Sequence, residues 1–134
     1  MIDNLKYVAF GAMFIGFITL IGAAIGLMNI MLVQVNERTR EIGVSMAIGA
    51  NRATIRSQFL IESIVICIIG GICGIILGIF IGNFVALALN ASFILPWLWI
   101  LVGLTVCVIT GVAAGYMPAR RASKLDPIEA LRYE

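Results

Sequence analysis

Residues 37–62 read ERTREIGVSMAIGANRATIRSQFLIE, and this stretch, called the island below, decides how the rest of the chain folds. It carries seven of the sixteen charged residues and separates two long runs without charge, residues 7–36 and 63–119. Seven further charges lie from Arg120 onwards. The chain therefore alternates two apolar runs with two charged patches, and the lengths of the apolar runs set the fold class.

The composition excludes an ordinary soluble domain. The 134 residues are 62% hydrophobic and 12% charged, with a mean hydropathy of +1.11, whereas soluble domains carry about 25% charge. A membrane-spanning helix needs about 20 apolar residues, so the first run holds one span and the second holds two. Both runs are too long and too evenly apolar for barrel strands, and an isolated backbone in hydrocarbon must be helical.

The sequence therefore predicts an all-α membrane protein, formed as a single domain over residues 1–134. Three transmembrane helices are expected over residues 8–35, 63–89 and 96–117, with a short helix in the island between the first and second and a tail over residues 118–134. Asn90, Ser92 and Pro96 favour a turn within the second run. Trp97 and Trp99 then suit the interfacial aromatic belt of a membrane.

The distribution of lysine and arginine predicts the orientation. Eight of these residues lie in the island and the tail, and Lys6 alone lies elsewhere. The positive-inside rule therefore places the island and the C-terminus in the cytoplasm and the N-terminus outside. Residues 1–6 lack the basic region of a signal peptide, so we expect the chain to be the later part of a larger protein.

The sequence offers no catalytic or metal-binding constellation. It contains no histidine, and its three cysteines, Cys67, Cys73 and Cys107, lie inside predicted spans, where an odd number argues against a disulfide framework. We expect them to pack as small hydrophobic residues. The predicted spans also contain no Asp, Glu, Lys or Arg, so they are not expected to conduct a hydrophilic substrate.

A ladder of glycines follows one face of the second predicted span. Gly70, Gly74, Gly78 and Gly82 lie four residues apart, so successive members stay within about 40° of each other around the helix. Small residues at this spacing let helix backbones approach closely. Two interpretations remain open: packing among the three helices of this chain, or a contact along which one helix slides against a neighbour, for example across a dimer.

The island itself is predicted to hold a helix from Glu37 to Ile48. Gly49 is a suitable helix stop, and Asn51 can cap a new helix that continues into the second span. On a helical wheel, Arg38, Glu41 and Ser45 form a polar stripe; Ile42 and Met46 lie on one side of it, and Val44, Ala47 and Ile48 lie on the other. Two separated apolar patches favour a helix held between its own bundle and a soluble partner. The alternative is an ordinary solvated loop.

The island residues 37–51 and 55–62, together with the tail PARRASKLDPIEALRYE from residue 118, resemble the MacB-like (FtsX-like) ABC transporter permeases. The resemblance covers the C-terminal three-span block of that family. It implies a bacterial-type plasma membrane, a partner ATPase that holds ATP and magnesium, and a second permease copy as a homo- or heterodimer. It implies no cofactor on this chain, no enzymatic activity of its own and no nucleic-acid partner.

In such a permease a short coupling helix contacts the ATPase and transmits its movement to an extracytoplasmic domain for export or extraction of a substrate. The resemblance assigns this role to Arg40, Glu41, Ile42, Gly43, Met46, Ala47, Ile48, Gly49 and Ala50. It assigns a secondary cytoplasmic anchoring role to Arg120, Arg121, Asp126, Pro127 and Leu131.

Family members usually carry one more span and a large extracytoplasmic domain before these three spans, and some fuse the ATPase. The resemblance leaves an alternative function, a regulator or sensor that signals to a cell-wall enzyme or a kinase without transport. A free-standing pore former is a third possibility. Drugs, peptides, toxins and lipoproteins are all compatible as substrates.

Overall fold

The computed structural model describes residues 2–88 and 95–126, and its regular secondary structure there is helical throughout. The helices are α1 (Ile2–Glu37), α2 (Thr39–Ala47), α3 (Arg52–Ala88) and α4 (Trp97–Ala122). Three of them are long and apolar enough to cross a membrane, over Lys6–Glu37, Arg52–Ala88 and Trp97–Ala122. The predicted fold class is confirmed: three long helices with a short helix between the first and second.

The long helices extend beyond the predicted spans, most of all at the start of α1, the start of α3 and the end of α4. The structure starts α3 at Arg52, so the second half of the island belongs to α3; the backbone N–H of Ala53 lies 3.4 Å from the Asn51 side-chain oxygen and caps it there. The helix α4 continues past Pro118 to Ala122. The proline removes one backbone hydrogen bond from the helix, whereas the two arginines in the last turn favour the helix C-terminus. The predicted turn at residues 90–96 lies mostly outside the described residues.

The two longest helices exceed the thickness of a bilayer. At 36 and 37 residues, α1 and α3 are each about 55 Å long, whereas a hydrocarbon core is about 30 Å thick. Large apolar side chains such as Phe10, Phe80 and Leu101 are exposed along the three long helices. Exposure of this kind is the normal state against lipid tails, which are as apolar as leucine.

The four helices meet at the end of the bundle that carries the island. The meeting point, called the island-end cluster below, consists of seven buried residues: Met31, Val35, Ile42, Ile55, Phe59, Ala119 and Ala122. Away from this cluster α4 packs extensively against α3 and less against α1, while α1 and α3 barely touch. The helix α4 is therefore the central element that joins the other two spans.

A tight joint fixes α3 against α4. Ser63 has no exposed surface, and its hydroxyl lies 2.8 Å from the carbonyl oxygen of Leu60 and 2.9 Å from that of Gly111 on α4. A Cβ atom added at Gly111 would lie 2.9 Å from the Ile64 backbone, and one added at Gly115 would overlap the Ser63 hydroxyl. The two glycines therefore allow α4 to approach close enough to bury this serine.

The glycine ladder plays no comparable part within the chain. A Cβ atom added at Gly70, Gly74, Gly78 or Gly82 would meet no atom within 4 Å. The close packing of α3 on α4 uses other glycines. The interpretation in which the ladder meets a helix outside this chain stays a prediction.

The chain reverses between α2 and α3 through a glycine in the left-handed region. Gly49 has φ +110°, a conformation that costs a glycine little and an L side chain much. Its backbone N–H donates to the carbonyl of Met46 at 3.0 Å, and that of Ala50 donates to Ser45 at 2.9 Å. This pair of bonds is the Schellman motif that ends many helices, and it confirms the predicted stop at Gly49.

We expect substitution of Gly115 by alanine to loosen the α3–α4 joint. Because the new Cβ would lie 2.6 Å from the Ser63 Cβ, overpacking should lower the free energy of unfolding by about 1–3 kcal/mol, measured by thermal unfolding in lipid nanodiscs. Gly78→Ala, at an open position of α3, is the matched control and should be at least as stable as wild type. Equal thermal unfolding midpoints for Gly115→Ala and Gly78→Ala would contradict the close α3–α4 contact. The double variant Ser63→Gly with Gly115→Ala should restore stability.

A second prediction concerns the reversal at Gly49. The Gly49→Val variant should lose roughly 1–2 kcal/mol, because a β-branched residue is strained at positive φ. The same unfolding measurement should show a smaller loss for Gly49→Asn, since asparagine tolerates this region better. Ala47→Val adds a branched side chain at an exposed helical position and should stay close to wild type. A Gly49→Val variant as stable as Ala47→Val would refute the strain argument.

Candidate functional site on the island helix

The short helix α2 is attached to α1 as a bent continuation. The bend lies at Arg38, whose backbone has φ −98° and ψ 15°. Helical hydrogen bonds cross it, because the Arg38 N–H donates to the Gln34 carbonyl at 2.9 Å and the Ile42 N–H donates to the Arg38 carbonyl at 3.0 Å. The Thr39 hydroxyl lies 3.0 Å from the Val35 carbonyl and strengthens the same turn. The backbone of α2 is therefore joined to that of α1 by helical hydrogen bonds across the bend.

One face of α2 packs against the chain's own bundle. Ile42 is 5% exposed within the island-end cluster, and Gly43 is buried beside it. Met46 and Ala50 are partly buried against the same cluster. Four of the nine residues predicted to contact an ATPase are thus turned towards the bundle, where they hold α2 in place.

The opposite face of α2 is exposed and partly apolar. Ile48 is 82% exposed and Val44 is 41% exposed. Ala47 and Arg40 are exposed on the same side of the helix, and Gly49 is exposed at the turn that follows. The predicted division into two apolar patches is therefore confirmed, with one patch buried and the other facing away from the bundle.

The polar stripe of α2 lines a small cavity against α3. Arg38, Glu41 and Ser45 lie on one wall, and Gln58 and Glu62 lie on the other, around a volume of about 80 Å³. A polar space of this size has room for ordered water. The sequence analysis did not include the α3 wall. Gln58 and Glu62 lie four residues apart, and each lies three residues after a buried apolar residue. This spacing indicates a polar edge of that helix.

The C-terminal tail divides into exposed charges and a buried anchor. Arg120 and Arg121 in the last turn of α4 are exposed, as is Asp126; Pro127 and Leu131 lie outside the described residues. The tail is fixed to the bundle by the cluster residues Ala119 and Ala122, together with Ser123, whose hydroxyl lies 3.0 Å from the Arg120 carbonyl. The sequence interpretation missed this anchor because small residues give no hydropathy signal distinct from the span.

Within residues 2–88 and 95–126, no three side chains of the types that ligate metals come together. Cys67 and Cys107 are partly buried free thiols, and Cys73 is an exposed one.

Comparison with known proteins gives the family. Residues 13–127 match the family described as FtsX-like permease C-terminal. The chain is 46% identical over 117 residues to the macrolide export ATP-binding/permease protein MacB of Rhodopirellula baltica, covering 87% of this chain and 17% of that protein. It is 47% identical over 117 residues to the uncharacterized ABC transporter permease YknZ of Bacillus subtilis, covering 87% of this chain and 30% of that protein.

The MacB protein of Mannheimia succiniciproducens is 50% identical over 121 residues, which cover 90% of this chain and 19% of that protein. The chain thus spans less than a third of the length of these curated relatives. The family match extends over all three candidate membrane helices and the island between them. The chain therefore belongs to the FtsX-like permease family, as a multi-pass membrane region of its C-terminal part.

Proposed function

We propose that this chain is the transmembrane region of an ABC transporter permease, and that α2 is the helix through which an ATPase drives it. The family and the printed names of the relatives, an export ATP-binding/permease protein and an ABC transporter permease, support the transporter class. ATP and magnesium belong to the ATPase subunit or domain, and this chain supplies the mechanical connection.

The outer face of α2 carries the proposal. Ile48 is 82% exposed on a helix whose other face packs against the bundle, and we assign this exposed apolar side to the partner. Val44, Ala47 and Ile48 supply the apolar contact, and Arg40 and Glu41 supply charges at its edge. Ile42, Gly43, Met46 and Ala50 act indirectly, because they hold α2 against the bundle.

The connection from α2 into the membrane runs along two routes. The first is the hydrogen-bonded bend at Arg38, which makes α2 an extension of α1. The second is the side chain of Ile42, which inserts into the island-end cluster among residues of α1, α3 and α4. Movement of the ATPase contact is therefore delivered to all three spans, and most directly to α1.

The orientation follows from the charges of the chain. With eight of nine lysines and arginines in the island and the tail, the island end lies in the cytoplasm of a bacterial-type plasma membrane, and the N-terminus lies outside. Arg120, Arg121 and Asp126 are exposed at that end, and we assign them the cytoplasmic anchoring of the tail. The predicted spans over residues 8–35, 63–89 and 96–117 contain no Asp, Glu, Lys or Arg, so the exported or extracted substrate is handled outside this chain, by an extracytoplasmic domain of the permease. The open glycine ladder on α3 is available to a second permease copy.

We expect Ile48→Glu, in the complete permease, to abolish stimulation of the ATPase and its co-purification with the permease. A carboxylate placed in an apolar contact remains unpaired and loses several kcal/mol of binding. Val44→Glu should act in the same direction with a smaller effect, since Val44 is less exposed. The measurements are ATP hydrolysis by the reconstituted transporter and pull-down of the ATPase.

The matched control is Ser57→Glu, which adds the same charge at an exposed position of the island on α3. It should retain both stimulation and co-purification, and all three variants should insert and unfold like wild type. Full ATPase stimulation by Ile48→Glu would refute the contact assigned to α2. If Ser57→Glu lost as much stimulation as Ile48→Glu, the cause would be added negative charge anywhere on the island and not the position of Ile48.

A further inference from the structure

The last two turns of α4 pack one face into the bundle and turn a different kind of face outward. Gly115, Pro118 and Ala119 are buried against the chain's own helices. On the outer side, Tyr116 is 51% exposed and Arg120 is exposed. Residues four apart differ by about 40° around a helix, so the tyrosine ring and the guanidinium share this face. The outward surface here is therefore aromatic and basic.

The basic character continues beyond the end of α4. The backbone N–H of Lys124 donates to the Arg121 carbonyl at 3.2 Å, which carries the chain through one further turn. Lys124 is exposed there, about one turn beyond Arg120. The three residues Tyr116, Arg120 and Lys124 are called the outer stripe below. Residues 63–125 contain no acidic side chain, so α4 supplies no carboxylate of its own to neutralise these charges.

The spacing along α4 matches the thickness of a bilayer. Trp97 is 70% exposed at the start of the helix, and Tyr116 follows nineteen residues later. At ~1.5 Å per residue the two residues are about 28 Å apart along the axis, close to the ~30 Å of a hydrocarbon core. Tryptophan and tyrosine are enriched at both interfaces of a membrane. Arg120 then lies about 6 Å beyond the edge of the core, within a headgroup layer that is about 5–8 Å thick on each side.

The neighbouring helix changes from apolar to basic at the same level. Gly115 packs directly on Ser63, which fixes the register of the antiparallel pair α3 and α4. Two residues away on each helix, Ile61 and Met117 are level with each other, and both are 59% exposed. Arg56 is exposed five residues before Ile61, level with the end of α4. Both helices therefore pass from apolar to basic side chains near one plane, as they would at a membrane surface.

The chemistry of the outer stripe selects among the possible neighbours of α4. Close helix packing in a membrane uses small residues, and these lie on the opposite, buried face of α4. An aromatic ring followed by an arginine and a lysine suits the membrane surface, where long basic side chains extend to the headgroups. A guanidinium pairs with phosphate through two parallel hydrogen bonds. Because the stripe carries two positive charges and no negative one, a headgroup with net negative charge fits it best.

We propose that the outer stripe binds an anionic phospholipid of the phosphatidylglycerol type, with the phosphate held by Arg120 and Lys124 and the glycerol region beside Tyr116. The inference rests on the proposed function only for the place of the island end at the cytoplasmic face of the membrane, and it requires neither the ATPase nor transport. It names the lipid partner of the anchoring assigned above to Arg120. A lipid bound there fixes the depth of α4 in the bilayer, and the Ser63 joint transfers this depth to α3.

The test is photo-cross-linking of the complete permease in phosphatidylcholine nanodiscs that contain a minor fraction of phosphatidylglycerol. A diazirine is carried near the glycerol end of one acyl chain, on either lipid, and labelled peptides are identified by mass spectrometry. At equal probe concentration, we expect residues 112–124 to be labelled roughly 25-fold more strongly by the phosphatidylglycerol probe, since each basic residue near an anionic surface contributes about fivefold, or about 1 kcal/mol. The preference should fall to about fivefold in Arg120→Gln, and it should be lost in Arg120→Gln combined with Lys124→Gln.

Arg40→Gln combined with Arg52→Gln is the matched control, because it removes the same charge from exposed positions at the same end of the bundle outside the stripe. It should keep the wild-type preference for phosphatidylglycerol. All variants should unfold at the wild-type temperature, because the replaced side chains are exposed. Soluble glycerol phosphate at millimolar concentration should leave the labelling unchanged; displacement of the probe by it would make the stripe a site for free phosphate and overturn the lipid assignment.

Three further results would also overturn the proposal: equal labelling of wild type by the two probes, a preference retained in the double variant of the stripe, or an equal loss in the control. Labelling that disappears when the ATPase binds would assign the stripe to the ATPase interface instead of the lipid. The proposed function fails separately, if wild-type permease neither binds nor stimulates the ATPase, and that result leaves the lipid preference standing.

Discussion

The packing of seven buried apolar residues at the island end is the interaction on which the rest of the structure depends. It is the single place where all four described helices contribute buried side chains. Elsewhere the bundle is joined in pairs, with α4 between α3 and α1. In lipid there is no hydrophobic force between spans, so a buried cluster at the water-facing end is well placed to hold α1 in the bundle. Loss of Phe59 or Met31 from this cluster would therefore weaken contacts among several helices at once.

The island-end cluster fixes α2 to the bundle and leaves the outer face of this helix exposed. A nine-residue helix is too short to be stable alone in water, and its own bundle stabilises it through Ile42. That arrangement turns the other side of the helix outward, with Ile48 and Val44 on it. A contact surface on a helix that is already ordered binds its partner without the entropic cost of folding. The Schellman motif at Gly49 ends α2 sharply, and Ile48 lies exposed directly before this turn.

Hydropathy and capping chemistry predicted most of the fold, because spans of this length and helix ends at Gly49 and Asn51 are local properties of the sequence. The faces of α2 were also readable, since apolar residues on two sides of one short helix must face two different environments. The sequence could not show which glycines make close contacts between helices. Gly71, Gly111 and Gly115 make the close contacts, while the regular ladder faces open space, because contact depends on the register of α3 against α4 and not on spacing within one helix. The same holds for Ser63, a single hydroxyl whose partner lies on the next span.

The island-end cluster also has a consequence for the order of events during synthesis. Its members are far apart along the chain, from Met31 near the end of the first span to Ala122 at the end of the last. Non-local contacts of this kind form late, because their loops must close first. Each span can enter the membrane as it is made, but the cluster stays open until the last turn of α4 has left the ribosome. Until then the apolar side chains of α1 and α2 that it will bury remain uncovered, and this nascent state is the one in which a chaperone or a protease has access to them.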